Sequence, residues 1–214
     1  MPLTKLNTQS ATSLDATKLT GNLPAISGAS LTGIASDYVK IQTQTISSSV
    51  GYVDFTSGID DTYTYYHMHF SGIKGNNYMG LRVGTASSYT SYYTSSHYHT
   101  TEWGHGYGAL NTPSYDHGSH NQFYIFNRRH CGTQTHASQN GEIYFYNLRK
   151  TTGHKHWKFV GSTQGNGDGE TIYQLGAGKV NDSGLSGEKV DRIRIIANTA
   201  NFTAGTITLY GVKA

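Results

Sequence analysis

From Tyr38 onward, apolar and polar residues alternate in short runs. Glu142-Ile143-Tyr144-Phe145-Tyr146 and Val190-Asp191-Arg192-Ile193-Arg194-Ile195-Ile196 set apolar side chains at alternate positions, the period of a strand with one buried face. Met79-Gly80-Leu81-Arg82-Val83 repeats the pattern, and Phe123-Tyr124-Ile125-Phe126 follows it loosely. Tyr63–Phe70, Trp157–Val160 and Gly205–Val212 are rich in β-branched and aromatic residues, which suit a pleated, half-buried surface. Clusters of Gly, Asn, Asp and Ser punctuate the intervals. No stretch keeps a helical period across about eleven residues. The expected fold class is all-β: an antiparallel, jelly-roll-like β-sandwich over residues 38–214.

The pattern before Tyr38 is different. Within residues 14–37 the sizeable apolar anchors are Leu14, Leu19, Leu23, Ile26, Leu31 and Ile34, separated by Gly and small polar residues. Leu19-Thr20-Gly21 recurs twelve residues later as Leu31-Thr32-Gly33. The spacing is too sparse for a helix and too broken for a sheet strand. Alone, such a segment cannot bury enough surface to offset its ordering entropy. Wound with two identical copies, its anchors can meet on a shared axis. Residues 14–37 are therefore expected to form a trimeric fibrous stalk, with a flexible linker as the competing reading. Residues 1–13 would then be an attachment segment.

The LTG repeat, with Leu23-Pro24-Ala25-Ile26 between its two copies, resembles the short repeat that precedes the carboxy-terminal heads of many bacteriophage tail fibre proteins. The resemblance continues through Tyr65–Phe70 with Tyr78–Val83, and through Gly141–Leu148 with Trp157–Gly161. It ends in Val190–Ile195 followed by Asn201–Lys213. It implies a homotrimeric virion structural protein, located in the tail. Residues 1–13 would dock on a baseplate or other tail protein, and the head would bind the host cell surface. Similar sandwiches also serve as baseplate or head appendages, so a purely structural role is the alternative it leaves open.

Composition narrows the partners. Charged residues are 14% of the 214, against roughly 25% in ordinary globular chains. The net charge is +3 with Lys and Arg scattered, so no nucleic-acid footprint is expected. No apolar run approaches the ~18 residues of a membrane helix, and MPLTKLNTQ lacks the apolar core of a secretory signal. The chain has 17 Tyr, many of them between Gly84 and His120 among Ser, His and Gly. A Tyr ring offers a large apolar face and a hydroxyl at small entropic cost, while Ser and Gly let a loop conform. Aromatic faces also stack on the C–H faces of sugar rings. Tyr89, Tyr92, Tyr93, Tyr98, Trp103 and Tyr107 are thus the expected receptor-binding residues, with cell-surface glycan as ligand. The competing reading is a long loop packed against a neighbouring subunit.

Histidine and carboxylate patterns supply further candidates. His67/His69, His97/His99 and His154/His156 each place two imidazoles at i and i+2. On a threefold axis one such pair per chain would give an ion six nitrogens. His97 and His99 are the best candidates for an axial metal; otherwise no cofactor is expected. A polar strand face accounts for His67 and His69, and a solvated turn for His154 and His156. Envelope-glycan cleavage would need a carboxyl pair across a cleft, such as Glu102 with Asp116 or Asp60 with Asp61. Asp60-Asp61 reads better as a turn before a strand, and Gly165–Glu170 as a hairpin loop rather than a calcium loop. Cys131 reads as a small residue at a strand end beside a turn, since no motif in the sequence supplies a base and orienter as a unit. A non-enzymatic role is expected.

Overall fold

The computed structural model describes residues 36–75, 79–85, 98–106, 109–111, 122–125, 138–164, 171–180, 188–198 and 200–213. The chain divides into two units, Met1–Ser36 and Asp37–Ala214, and all described strands lie in the second. They are β1 (Tyr38–Ile46), β2 (Tyr52–Phe55), β3 (Tyr65–Lys74), β4 (Met79–Gly84), β5 (Tyr98–Gly106) and β6 (Ala109–Asn111). The remainder are β7 (Phe123–Ile125), β8 (Gln139–Tyr146), β9 (Lys155–Gln164), β10 (Thr171–Val180), β11 (Arg192–Ala197) and β12 (Ala204–Val212). They build two antiparallel sheets, ordered β1-β12-β3-β8-β9-β10-β5-β6 and β2-β11-β4-β7. No described residue is helical. The described part of the head is all-β, as the alternation predicts. Residues 14–35 of the segment expected to form a stalk lie outside the described residues.

One core joins the sheets. Tyr66, Met68 and Phe70 of β3, Ile143 and Phe145 of β8, and Trp157 and Phe159 of β9 supply its larger-sheet side. Leu81, Val83, Phe123, Ile125, Ile193 and Ile195 supply the other. Phe123 meets Trp157 and Phe159 edge-on, with ring centroids 5.2 and 5.7 Å apart. Edge-on contact suits the quadrupoles of aromatic rings. These rings also explain a glycine inside β10: a Cβ on Gly178 would overlap the Phe123 ring and lie 2.7 Å from Trp157 Nε1.

Local turns set the register. The β8–β9 turn passes through Asn147 at φ 60°, a left-handed conformation that Asn tolerates better than most residues. Its carbonyl accepts the Lys150 amide at 3.1 Å. Before β3, Asp60 Oδ1 accepts the Thr62 amide at 2.9 Å, the Asx geometry expected of a turn. The Tyr66 hydroxyl donates to the Asp60 carbonyl at 2.6 Å and accepts the Asp60 amide at 2.8 Å. Burial, the largest influence on that phenol, pushes its pKa up.

Two expectations need correction. Tyr98–Gly106 falls in the stretch expected to be a conforming loop, yet it is a strand paired with β10 from Tyr98 opposite Val180 to His105 opposite Tyr173. The open edge of β10 supplies unpaired backbone groups, and an adjacent Tyr/Thr/Trp segment satisfies them. Nor is the region around His154 and His156 a wholly solvated turn. Lys155 begins β9 and is buried, its Nζ donating to the Lys150 carbonyl, while His156 is exposed and stacked on Tyr146 at 5.3 Å.

Candidate functional site: the outer face of the larger sheet

Alternation along β3 sends Tyr66, Met68 and Phe70 into the core and Tyr65, His67 and His69 to the opposite face. Because directly opposed residues share a face, the ladder extends these positions into rows across the sheet. One row runs Lys40, Tyr210, His67, Tyr144, Lys158, Ala177. The next runs through Tyr38, Tyr65, Tyr146, His156 and Lys179, and that on the other side through His69, Glu142, Val160 and Leu175.

The rings in these rows touch. His67 stacks on Tyr144 at 4.4 Å and on Tyr210 at 5.9 Å, with Tyr38 tilted against it at 5.6 Å. Tyr38 and Tyr210 lie 4.8 Å apart, and Tyr65 and Tyr146 5.9 Å. Lys158 Nζ stands 4.7 Å above the Tyr144 ring, within cation–π range. The surrounding rings bury His67 although it faces away from the core.

Electrostatics follow from that packing. Glu142 lies diagonally from His67, and its Oε2 is 3.0 Å from His67 Nε2. Burial holds the His67 pKa below its ordinary value, outweighing the opposing pull of Glu142. Among the described residues, His67 Nδ1 has no hydrogen-bond partner. Burial first, and then the Glu142 carboxylate, raises the Tyr144 phenol.

Beyond Tyr144 the face is hollowed by two adjoining depressions of about 570 and 350 Å³, which share Glu142, Val160 and Tyr173. Tyr144, Lys158 and Leu175 bound the larger; His69, Asn140 and Ser162 bound the smaller. Tyr173 and Leu175 are 49% and 41% exposed, an uncovered apolar pair in the middle of a sheet. One side of the groove is therefore aromatic and aliphatic, the other polar.

The predicted receptor residues relate to this face unevenly. Trp103 stands opposite Leu175 in the ladder, and Tyr98 opposite the buried Val180. Tyr89, Tyr92, Tyr93 and Tyr107 lie outside the described residues, as do Leu14, Leu19, Leu23, Ile26, Leu31 and Ile34. Of the proposed metal pair, His97 is outside them, and His99 stands opposite Lys179 on the backbone of β5. Among the described residues, no group of three His, Cys, Asp or Glu side chains could hold a metal ion. Asp61 bonds Arg149 at 3.2 Å and Lys189 at 2.7 Å; the Lys189 bond first, then the Arg149 bond, lowers its pKa. Asp116, Cys131 and 165–170 are outside the described residues.

Sequence reasoning missed Tyr38, Tyr65, Tyr144, Tyr146, Tyr173 and Tyr210 as a group. The available signal was Tyr or His at i and i+2 in Tyr65/His67 and Tyr144/Tyr146, on strands whose other face is apolar. Comparison with family models, curated proteins and solved structures finds no match for this chain.

Proposed function

We propose that this chain is a virion structural protein: a homotrimeric tail fibre whose head attaches to glycan on the host cell surface. The observation that carries the reading is the aromatic array on the larger sheet's outer face. Its tyrosines and stacked histidines adjoin an open groove, an arrangement suited to the C–H faces and hydroxyls of sugar rings. The spaced apolar anchors of residues 14–37 and their resemblance to tail fibre stalks support a trimer. Three copies of a weak site would act together, raising the strength of attachment without new contacts. Residues 1–13 would meet the baseplate or another tail protein.

The exposed Leu175 and Tyr173 also favour a second reading, in which this face packs against a virion neighbour and the protein is a structural appendage. Light scattering on the whole chain tests the assembly, with a mass three times 23.4 kDa expected. Labelled whole chain is then added to a panel of bacterial cells. Saturable binding that is abolished by stripping surface polysaccharide, and that blocks phage adsorption, supports attachment. A trimer that binds no cell favours the structural reading. A monomer overturns the fibre.

A further inference from the structure

We infer that the groove across β8, β9 and β10 is a binding site for an uncharged pyranose oligosaccharide, and that Glu142 excludes acidic sugars from it. The inference deepens the receptor reading, on which it rests, by assigning the site and the sugar class.

The groove joins two surfaces that a sugar needs together. Tyr144, Tyr173 and Leu175 offer apolar area to the C–H face of a ring. Asn140, Ser162 and Glu142 offer hydrogen-bonding groups to its hydroxyls. The two depressions, about 570 and 350 Å³, are in the size range of small-ligand sites. They adjoin, so consecutive rings of one chain can occupy both.

Charge then selects the sugar class. Glu142 lines both depressions, so any occupant passes its carboxylate. His67 already bonds one of its oxygens at 3.0 Å. Among the described residues, the Lys or Arg lining the groove is Lys158, which stands over the Tyr144 ring. A uronate would bring a second carboxylate beside Glu142 with no cation of the described residues between them, and like charges at short range repel. A neutral hydroxyl donates to the same carboxylate favourably.

The test is saturation-transfer NMR on the whole chain. The probes are cellotetraose, maltotetraose, a tetramer of N-acetylglucosamine and a tetragalacturonate. Saturation transfer from the protein to at least one neutral probe is expected, with the uronate bound about tenfold more weakly. Tyr173→Ala should weaken the neutral probe about tenfold while leaving the melting temperature unchanged, because that side chain is half exposed. Tyr52→Ala, on the smaller sheet, should leave binding unchanged. Glu142→Gln replaces a charged acceptor by a neutral one, so it should weaken the neutral probe by only about twofold to threefold while strengthening the uronate, narrowing the difference between them. No transfer to any neutral probe, a uronate bound as well as the neutral sugars, or Tyr173→Ala binding like the parent would each overturn the inference. Whole chain that binds cells equally with and without Tyr173→Ala would sink this groove and leave the receptor reading standing. Groove-dependent sugar binding with no cell attachment would support the groove and fail the receptor reading.

Discussion

His67 Nε2 lies 3.0 Å from Glu142 Oε2, on the outer face of the larger sheet rather than in its core. Tyr38 of β1, Tyr210 of β12 and Tyr144 of β8 wall the imidazole in, and His69 sits two residues along β3. A titratable ring thus anchors the aromatic array.

That arrangement makes stability depend on pH. Burial holds the folded His67 pKa below the ordinary 6.5, so the unfolded chain takes up this proton first as pH falls. The contribution is fully present above about pH 6.5 and is lost as pH falls through the lower, folded value. The urea midpoint should decline over this window, and His67→Gln should decline less. Parallel curves for parent and variant would refute the assignment.

On the smaller sheet, Arg194 grips Asp54 through two bonds, Nε–Oδ1 at 2.7 Å and Nη2–Oδ2 at 2.6 Å. Its guanidinium also lies 3.9 Å from the centre of the Tyr52 ring. Lysine keeps the charge but neither the fork nor the flat face. Arg194→Lys should therefore cost about 1–3 kcal/mol in chemical denaturation. A loss within experimental error would show that solvent screens the pair.

Gly178→Ala should destabilise the head by about 1–3 kcal/mol, because the added methyl overlaps Phe123 and crowds Trp157. Trp157 emission should shift as the ring is displaced. By contrast, nothing lies within 4 Å of a Cβ at Gly153, where Ala meets only the strain of φ +78°. Equal losses at the two positions would contradict the packing account.

The stalk reading has its own test. Leu19→Asp with Leu31→Asp would put six carboxylates near the proposed axis of a trimer. Light scattering should then report separated chains whose heads melt as before. A double variant that remains trimeric would move assembly into the head.

Sequence alternation reached several strands directly. In Val190–Ile196 the buried Ile193 and Ile195 alternate with Arg192 and Arg194, and a one-residue slip would exchange core for solvent. Thr171–Val180 was far less legible, since Gly176, Ala177 and Gly178 carry little hydrophobic signal. It is a strand because β9 and β5 pair with it on both sides, and because Phe123 and Trp157 occupy the space above Gly178.

By itself, the sequence determined the all-β class and which face of many strands turns inward. Both follow from a period of two, which acts over a few residues of one strand. It also located the separate pattern of residues 14–37. Only the tertiary structure decided that Tyr38, His67, Tyr144 and Tyr210 form one array and that Glu142 and Tyr173 line one groove. Those neighbours come from distant parts of the chain, and cross-strand register, set by turns and core packing, brings them together.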